Sequence, residues 1–154
     1  MRIIYTNAEG GCSIVIPAPD TGLTIEEVAV KSVPAGTPYK IVPVSEIPSD
    51  RTYRGAFVAD VVNGKVNHDI VKAREIHKDH MRRGRTPLLA ALDVAYIKAD
   101  EKGPAGAAEK AQIAAQKAAL RDVTAAAGIA AATTPDELKG VWPSILGPKP
   151  YGGV

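Results

Sequence analysis

The order of apolar and polar positions divides the chain into two parts with different periods. Up to about residue 64, short apolar runs alternate with turn-forming residues, and six prolines interrupt this stretch. Proline cannot donate to a β ladder, so such runs are confined to edge strands or strand ends. The segments NAEGG and VNGK are hairpin-type turns. We therefore predict short β-strands in four segments, RIIYT, CSIVIPA, YKIVPV and GAFVADVVNG.

From residue 67 onward, the spacing of apolar positions changes to that of a helix. We predict one long helix capped by Asn67 and bent over residues 83–87, because Pro87 removes a backbone hydrogen bond to the Arg83 carbonyl. Thr86 and Pro87 could instead begin a second helix as N-cap and first residue. The apolar face that stays in phase across this point favours a single helix; it comprises His77, Met81, Leu88, Leu92, Ala95 and Ala99.

A second helix is predicted from about residue 107 to residue 124, after the break EKGPAG. Helices joined by so short a turn lie antiparallel, and counting outward from the turn places Leu88 near Leu120 and Arg85 near Asp122. Trp142 is expected to cover the open end of this hairpin.

Two further short helices have recognisable amino-terminal caps. Thr24 can cap a helix of one or two turns in the front part of the chain, in TIEEVAVKSV. Near the other end, in TTPDELKG, Thr134 is the expected N-cap, Pro135 the first helical residue and Glu137 the partner in a capping box.

Together these elements predict an α+β fold. A small amino-terminal antiparallel β domain would cover residues 1–64. A long antiparallel helical hairpin, with a short carboxy-terminal helix and an extended tail, would cover residues 67–154.

Composition narrows the possible functions. The chain has 154 residues, but only one Phe and one Trp, and much of its apolar content is alanine. Such a core buries little area, so we expect stability to depend partly on partners and the chain to form a homo-oligomer. A net charge of +2 is too small to make nucleic acid the default ligand. No apolar run is long enough to span a membrane, and the first residues resemble strands rather than a signal peptide.

The candidate chemical sites are weak. His77 and His80 have the spacing of a metal-ligand pair, but a solvated or partner-facing helix surface is the simpler interpretation. Cys12 has no catalytic partners around it in sequence. We expect no enzyme activity, catalytic residue, metal or cofactor. A basic stretch that ends in Arg82, Arg83 and Arg85 leaves nucleic-acid binding as a rival of another class, with steep salt dependence as its signature.

Three segments, RRGRTPLLAALD, KAALRDVT and VWPSILG, resemble in order and spacing the carboxy-terminal region of small bacteriophage tail proteins, the phage tail assembly chaperone-like domain. That pattern has an arginine cluster, a Leu-Leu pair ending in Asp, a second helix ending in Leu-Arg-Asp, and a closing Trp-Pro. One departure is Val94, where the family commonly has Trp. The matching positions are Arg82, Arg83, Arg85, Leu88, Leu89, Asp93, Leu120, Arg121, Asp122, Trp142 and Pro143. Together with Leu92, which helix spacing places in the seam of the hairpin, they are our candidate packing residues.

The resemblance implies a bacteriophage virion component of the tail or tail fibre. Such a protein would be made in the bacterial cytoplasm and would pack in several copies against other phage structural proteins. Similar domains also look like assembly helpers, so a chaperone for tail or fibre assembly that is absent from the finished particle is the alternative.

Overall fold

The strands and helices expected from the sequence are present in the computed structural model of the chain, which describes residues 1–19 and 22–151. The fold is α+β, as predicted. The last three residues of the predicted tail lie outside the described residues. The strands are β1 (Arg2–Thr6), β2 (Cys12–Val15), β3 (Tyr39–Val42), β4 (Phe57–Asp60) and β5 (Lys65–His68); the helices are α1 (Ile25–Ser32), α2 (Ile70–Asp100), α3 (Ala107–Asp122), α4 (Ala127–Ala131) and α5 (Pro135–Gly140).

The chain divides into two compact units, Met1–Ala73 and Arg74–Val154, so the first turn of α2 belongs to the first unit. The predicted domain limits of 1–64 and 67–154 stay a prediction. The structure of each unit follows from its own core.

The first unit is built around β1, which pairs antiparallel with β2 on one side and β3 on the other. Ile3 and Ile4 are both fully buried. Because successive side chains of a strand point to opposite faces, each isoleucine belongs to a different core cluster. Ile3 packs with Ala29 of α1, and Ile4 packs with Phe57 of β4.

The predicted turns of the first unit are confirmed. The segment between β1 and β2 and the segment between β4 and β5 both connect antiparallel strands. Gly64 has a φ of +69°, a conformation that glycine adopts without strain. The N-cap of α1 is also confirmed, since the Thr24 hydroxyl accepts from the Glu27 amide while the Glu27 carboxylate accepts from the Thr24 amide at 2.7 Å.

Helix α2 is a single helix of 31 residues with Pro87 inside it, so the competing break at Thr86 and Pro87 is wrong. The predicted bend stays a prediction. The predicted Asn67 cap is also wrong, because Asn67 pairs with Val58 in the β4–β5 hairpin. Asp69 takes that role, and its carboxylate accepts from the amides of the two residues that follow Ile70.

The second unit contains the rest of α2, the antiparallel helix α3, and α4 and α5. The Lys110 ammonium lies 2.6 Å from the Asp100 carboxylate beside the turn. Thr134 caps α5 as predicted. The Glu137 carboxylate, however, accepts from the amide and hydroxyl of Thr133, at 2.6 and 3.0 Å, so it does not close the predicted box on Thr134. The carboxylate thus binds the backbone amide one residue earlier in the sequence than a capping box requires.

Candidate packing surface of the helical hairpin

Three of the predicted leucines meet where α2 and α3 face each other. Leu88 and Leu92 are half-buried on α2, and Leu120 of α3 is only 2% exposed. With Ala91, Gln116 and Ile145 they line an open groove of about 320 Å³, called here the apolar groove. The predicted pairing of Leu88 with Leu120 is therefore confirmed.

The groove is completed by Ile145, an apolar residue of the tail that the sequence indicates must pack against some surface, without showing which one. Ile145 lies in the turn after Trp142 and Pro143, and 39% of it is exposed. Pro143 is half-buried and precedes this turn. The segment VWPSILG therefore contributes an apolar side chain to the surface formed by the two helices. The sequence signal for such a contribution is a leucine or isoleucine within a tail that is rich in proline and glycine.

Arg85 reaches from α2 across to the end of α3. Its guanidinium donates to the carbonyl oxygen of Arg121 at 2.7 Å and, at 3.5 Å, to that of Leu120. The predicted contact with the Asp122 carboxylate is therefore replaced by a contact with backbone acceptors. Carbonyls near the end of a helix lack intrahelical donors, and a cation stabilises the negative end of the helix dipole.

The remaining charges of the motif point in different directions. Arg82 pairs with Asp79 one turn earlier on the same helix. Arg83 and Ala90 are exposed, whereas Leu89 is half-buried. Asp93 pairs across the hairpin with Lys117. The arginine cluster is therefore not a single functional patch, since two of its members already have partners.

Trp142 lies against Gly84 of α2. A Cβ at Gly84 would be 3.6 Å from the indole ring, and the indole nitrogen donates to the Gly147 carbonyl at 2.9 Å. Gly84 is adjacent to Arg85, which contacts the last residues of α3. Trp142 therefore lies at the open end of the hairpin, as predicted. Gly84 provides the space for the ring, a role that its position in an arginine cluster did not reveal.

His77 is fully buried, so the interpretation of it as a solvated or partner-facing residue is wrong. Its Nε2 lies 2.8 Å from the Val141 carbonyl oxygen, and its Nδ1 lies 2.8 Å from the Tyr151 hydroxyl. A carbonyl can only accept, so the partners assign the proton to Nε2, and Tyr151 donates to Nδ1.

The environment of His77 favours its neutral form. Burial is the main cause that lowers the pKa of His77, and the positive charge of Lys149 lowers it further, while the bond to Val141 opposes them. His80 lies beside the same tyrosine, with ring centroids 5.0 Å apart, and burial also lowers the pKa of His80. The two histidines thus belong to an aromatic cluster with Trp142 and Tyr151.

The groups considered for metal binding and nucleophilic chemistry are the histidines of α2 and Cys12. Within residues 1–19 and 22–151, no group of three or more His, Cys, Asp or Glu side chains could hold a metal ion. Burial raises the pKa of the half-buried Cys12 thiol to about 11, so this thiol is protonated at neutral pH. No helix in the described part of the chain is both long and apolar enough to cross a bilayer.

Comparison of the chain with protein-family models, with curated proteins and with solved structures gave no match.

Proposed function

We propose that this chain is a structural component of a bacteriophage virion, in the tail or its fibres, that acts by packing against neighbouring proteins in several copies. The observation that carries the proposal is the apolar groove. Its walls come from all three segments that resemble the phage tail assembly chaperone-like domain. A groove lined by leucine and isoleucine side chains and left open is a typical site for a protein partner.

A second apolar face on α2 supports the same proposal. Val94 and Ile97 are 52% and 59% exposed. Their spacing of three residues puts them on one side of the helix, away from Leu88 and Leu92. A protein that remains a free monomer gains nothing from such a face, whereas a packed assembly covers it.

The rival function in nucleic-acid binding is weakened by the contacts of the arginine cluster. Arg82 is paired with Asp79, and Arg85 is bonded to backbone carbonyls of α3. A phosphate would therefore have to compete with these partners for the two side chains. Arg83 is the member of the cluster that is exposed and has no ion pair among the described residues.

Quantitative mass spectrometry of purified, washed phage particles tests the proposal directly. A structural component is expected at a fixed small-integer ratio to a known ring or trimer of the particle. Abundance in the infected lysate together with absence from particles would instead support the alternative, a chaperone for tail or fibre assembly that binds through the same groove.

Substitutions in the groove are expected to reduce incorporation into particles. Ile145→Asp places a charge in a partly exposed position, so the chain should fold while binding is lost, because a buried unpaired carboxylate opposes docking. Ala91→Gln fills the groove without a charge. Val62→Asp, at a position that is 82% exposed in the first unit, is the matched control. Wild-type incorporation of both groove variants would refute this use of the groove.

A further inference from the structure

A pocket of about 580 Å³ in the first unit is lined by three cationic side chains, Arg51, Arg54 and Lys72. It is called here the basic pocket. Glu9 is the one carboxylate among its lining residues, and Ile14 and Phe57 provide apolar surface. The lining thus has a net charge of +2.

The cations come from two segments that the core of the unit fixes in place. Arg51 and Arg54 are in one turn, in which the Arg54 amide donates to the Arg51 carbonyl at 3.1 Å, and buried Tyr53 anchors this turn. Lys72 is in the first turn of α2, whose start is tied to the same region by a 2.8 Å bond from the Asp69 amide to the Ala56 carbonyl. The three charges therefore share the pocket because of the backbone arrangement.

Among the described residues, the three cations of the basic pocket are not held in ion pairs, although Glu9 also lines the pocket. In the described part of the chain, none of the ion pairs within 4.0 Å includes Arg51, Arg54 or Lys72. All three side chains are exposed. Like charges around one cavity repel one another, and an anion between them relieves the repulsion.

We propose that the basic pocket binds the phosphate group of a small phosphorylated molecule. A phosphate monoester carries a charge between about −1.5 and −2 at pH 7, which matches the net charge of the lining. Two guanidinium groups provide the paired donors that phosphate oxygens accept. The volume lies within the range of about 300–1,000 Å³ that is typical of small-molecule sites, so it leaves room for an organic group beside Ile14.

Nuclear magnetic resonance titration of the full chain with inorganic phosphate and with glycerol phosphate tests this inference, with chloride at equal ionic strength as the control for screening. We expect saturable shifts of the Gly11 and Gly55 amides, which line the pocket. Tighter binding of glycerol phosphate would assign the site to an organic phosphate, and equal binding would assign it to free phosphate. Shifts that chloride reproduces would overturn the proposal.

Variants separate the pocket from general surface charge. Removing both arginines, by Arg51→Ala with Arg54→Ala, should weaken phosphate binding by about tenfold or more, because each charged hydrogen bond is lost. Arg51→Lys with Arg54→Lys keeps the charge and should have an intermediate effect. Lys65→Ala, an exposed cation outside the pocket lining, should leave binding unchanged.

Two results would count against a phosphate site in the basic pocket. One is unchanged phosphate binding by the double alanine variant, provided that its thermal unfolding is normal. The other is tight binding of an oligonucleotide that phosphate and glycerol phosphate do not displace, which would assign the charges to a nucleic acid. Neither result bears on the packing function, because the apolar groove is in the other unit.

Discussion

At the scale of single residues, the buried imidazole of His77 ties the carboxy-terminal segment to α2. It accepts from Tyr151 and donates to Val141, so both ring nitrogens are used in the neutral form. Protonation would put a hydrogen on Nδ1, so Tyr151 could no longer donate to it, and would place a charge in a buried site beside Lys149.

The stability of the chain is therefore expected to fall as the pH falls. The folded pKa of His77 lies below the ordinary value of 6.5. Its stabilising contribution is thus complete above pH 6.5 and is lost as the pH drops through the folded pKa, because the unfolded chain binds the proton first. Urea unfolding at pH 7.5 and pH 5.5 measures this loss. His77→Gln should flatten the difference, and an equally steep fall in that variant would assign it to other groups, such as His80.

Gly84 offers a second test at the residue scale. A Cβ there would meet Trp142 at an ordinary contact distance of 3.6 Å, and glycine inside a helix costs stability relative to alanine. Gly84→Ala should therefore raise the free energy of unfolding by about 0.5–1 kcal/mol. Gly84→Leu, which needs the space that the indole occupies, should lower it. Trp142 fluorescence during denaturation follows both variants, and a stabilising leucine would show that the ring does not lie there.

At the scale of elements, the turn between α2 and α3 depends on a glycine with a different constraint. Gly106 comes so close to α2 that a Cβ would be 1.8 Å from the Ala99 carbonyl oxygen. The obstacle is backbone, so no side-chain rotation can relieve it. The two helices can keep their present approach only with glycine at this position.

Gly106→Ala should therefore destabilise the hairpin strongly, by about 3 kcal/mol or more, since it forces the backbones apart. Gly140→Ala, at the end of α5, is the matched control, because a Cβ there meets nothing within 4 Å. The melting temperatures of the two variants, compared with that of the wild type, measure the difference. A mild effect at Gly106 would mean that the turn adjusts easily.

The elements also show which parts of the fold are determined by local sequence signals. The hairpin was predictable because its signals are periodicity within one helix and a glycine-proline turn. The cap of α2 was misplaced because Asn67 is held by a partner in β4, and strand pairing overrides the local preference of a residue for a cap. Thr134 was assigned correctly because its acceptor role needs only the next turn.

At the scale of the whole molecule, the candidate site was only partly predictable. The leucines of the groove follow from helix spacing, so Leu88 and Leu120 could be paired in advance. Other features depend on contacts between residues more than 50 positions apart in the chain. They are the packing of Ile145 beside Leu88, the contact of Trp142 with Gly84, and the burial of His77. No local pattern encodes such contacts. The arginines of the basic pocket were equally hidden, because Lys72 joins them through the fold.

The bonds of His77 also set an order in time. Synthesis proceeds from the amino terminus, and domains generally fold as their sequence becomes available. The first unit is complete at Ala73 and has all of its strands by then. The imidazole of His77, by contrast, can form its hydrogen bonds only after Val141 and Tyr151 have been synthesised, which lie 64 and 74 residues later in the chain. During that interval the face of α2 around His77 lacks its contacts with the tail, so a partner present at the ribosome meets this face before the tail does.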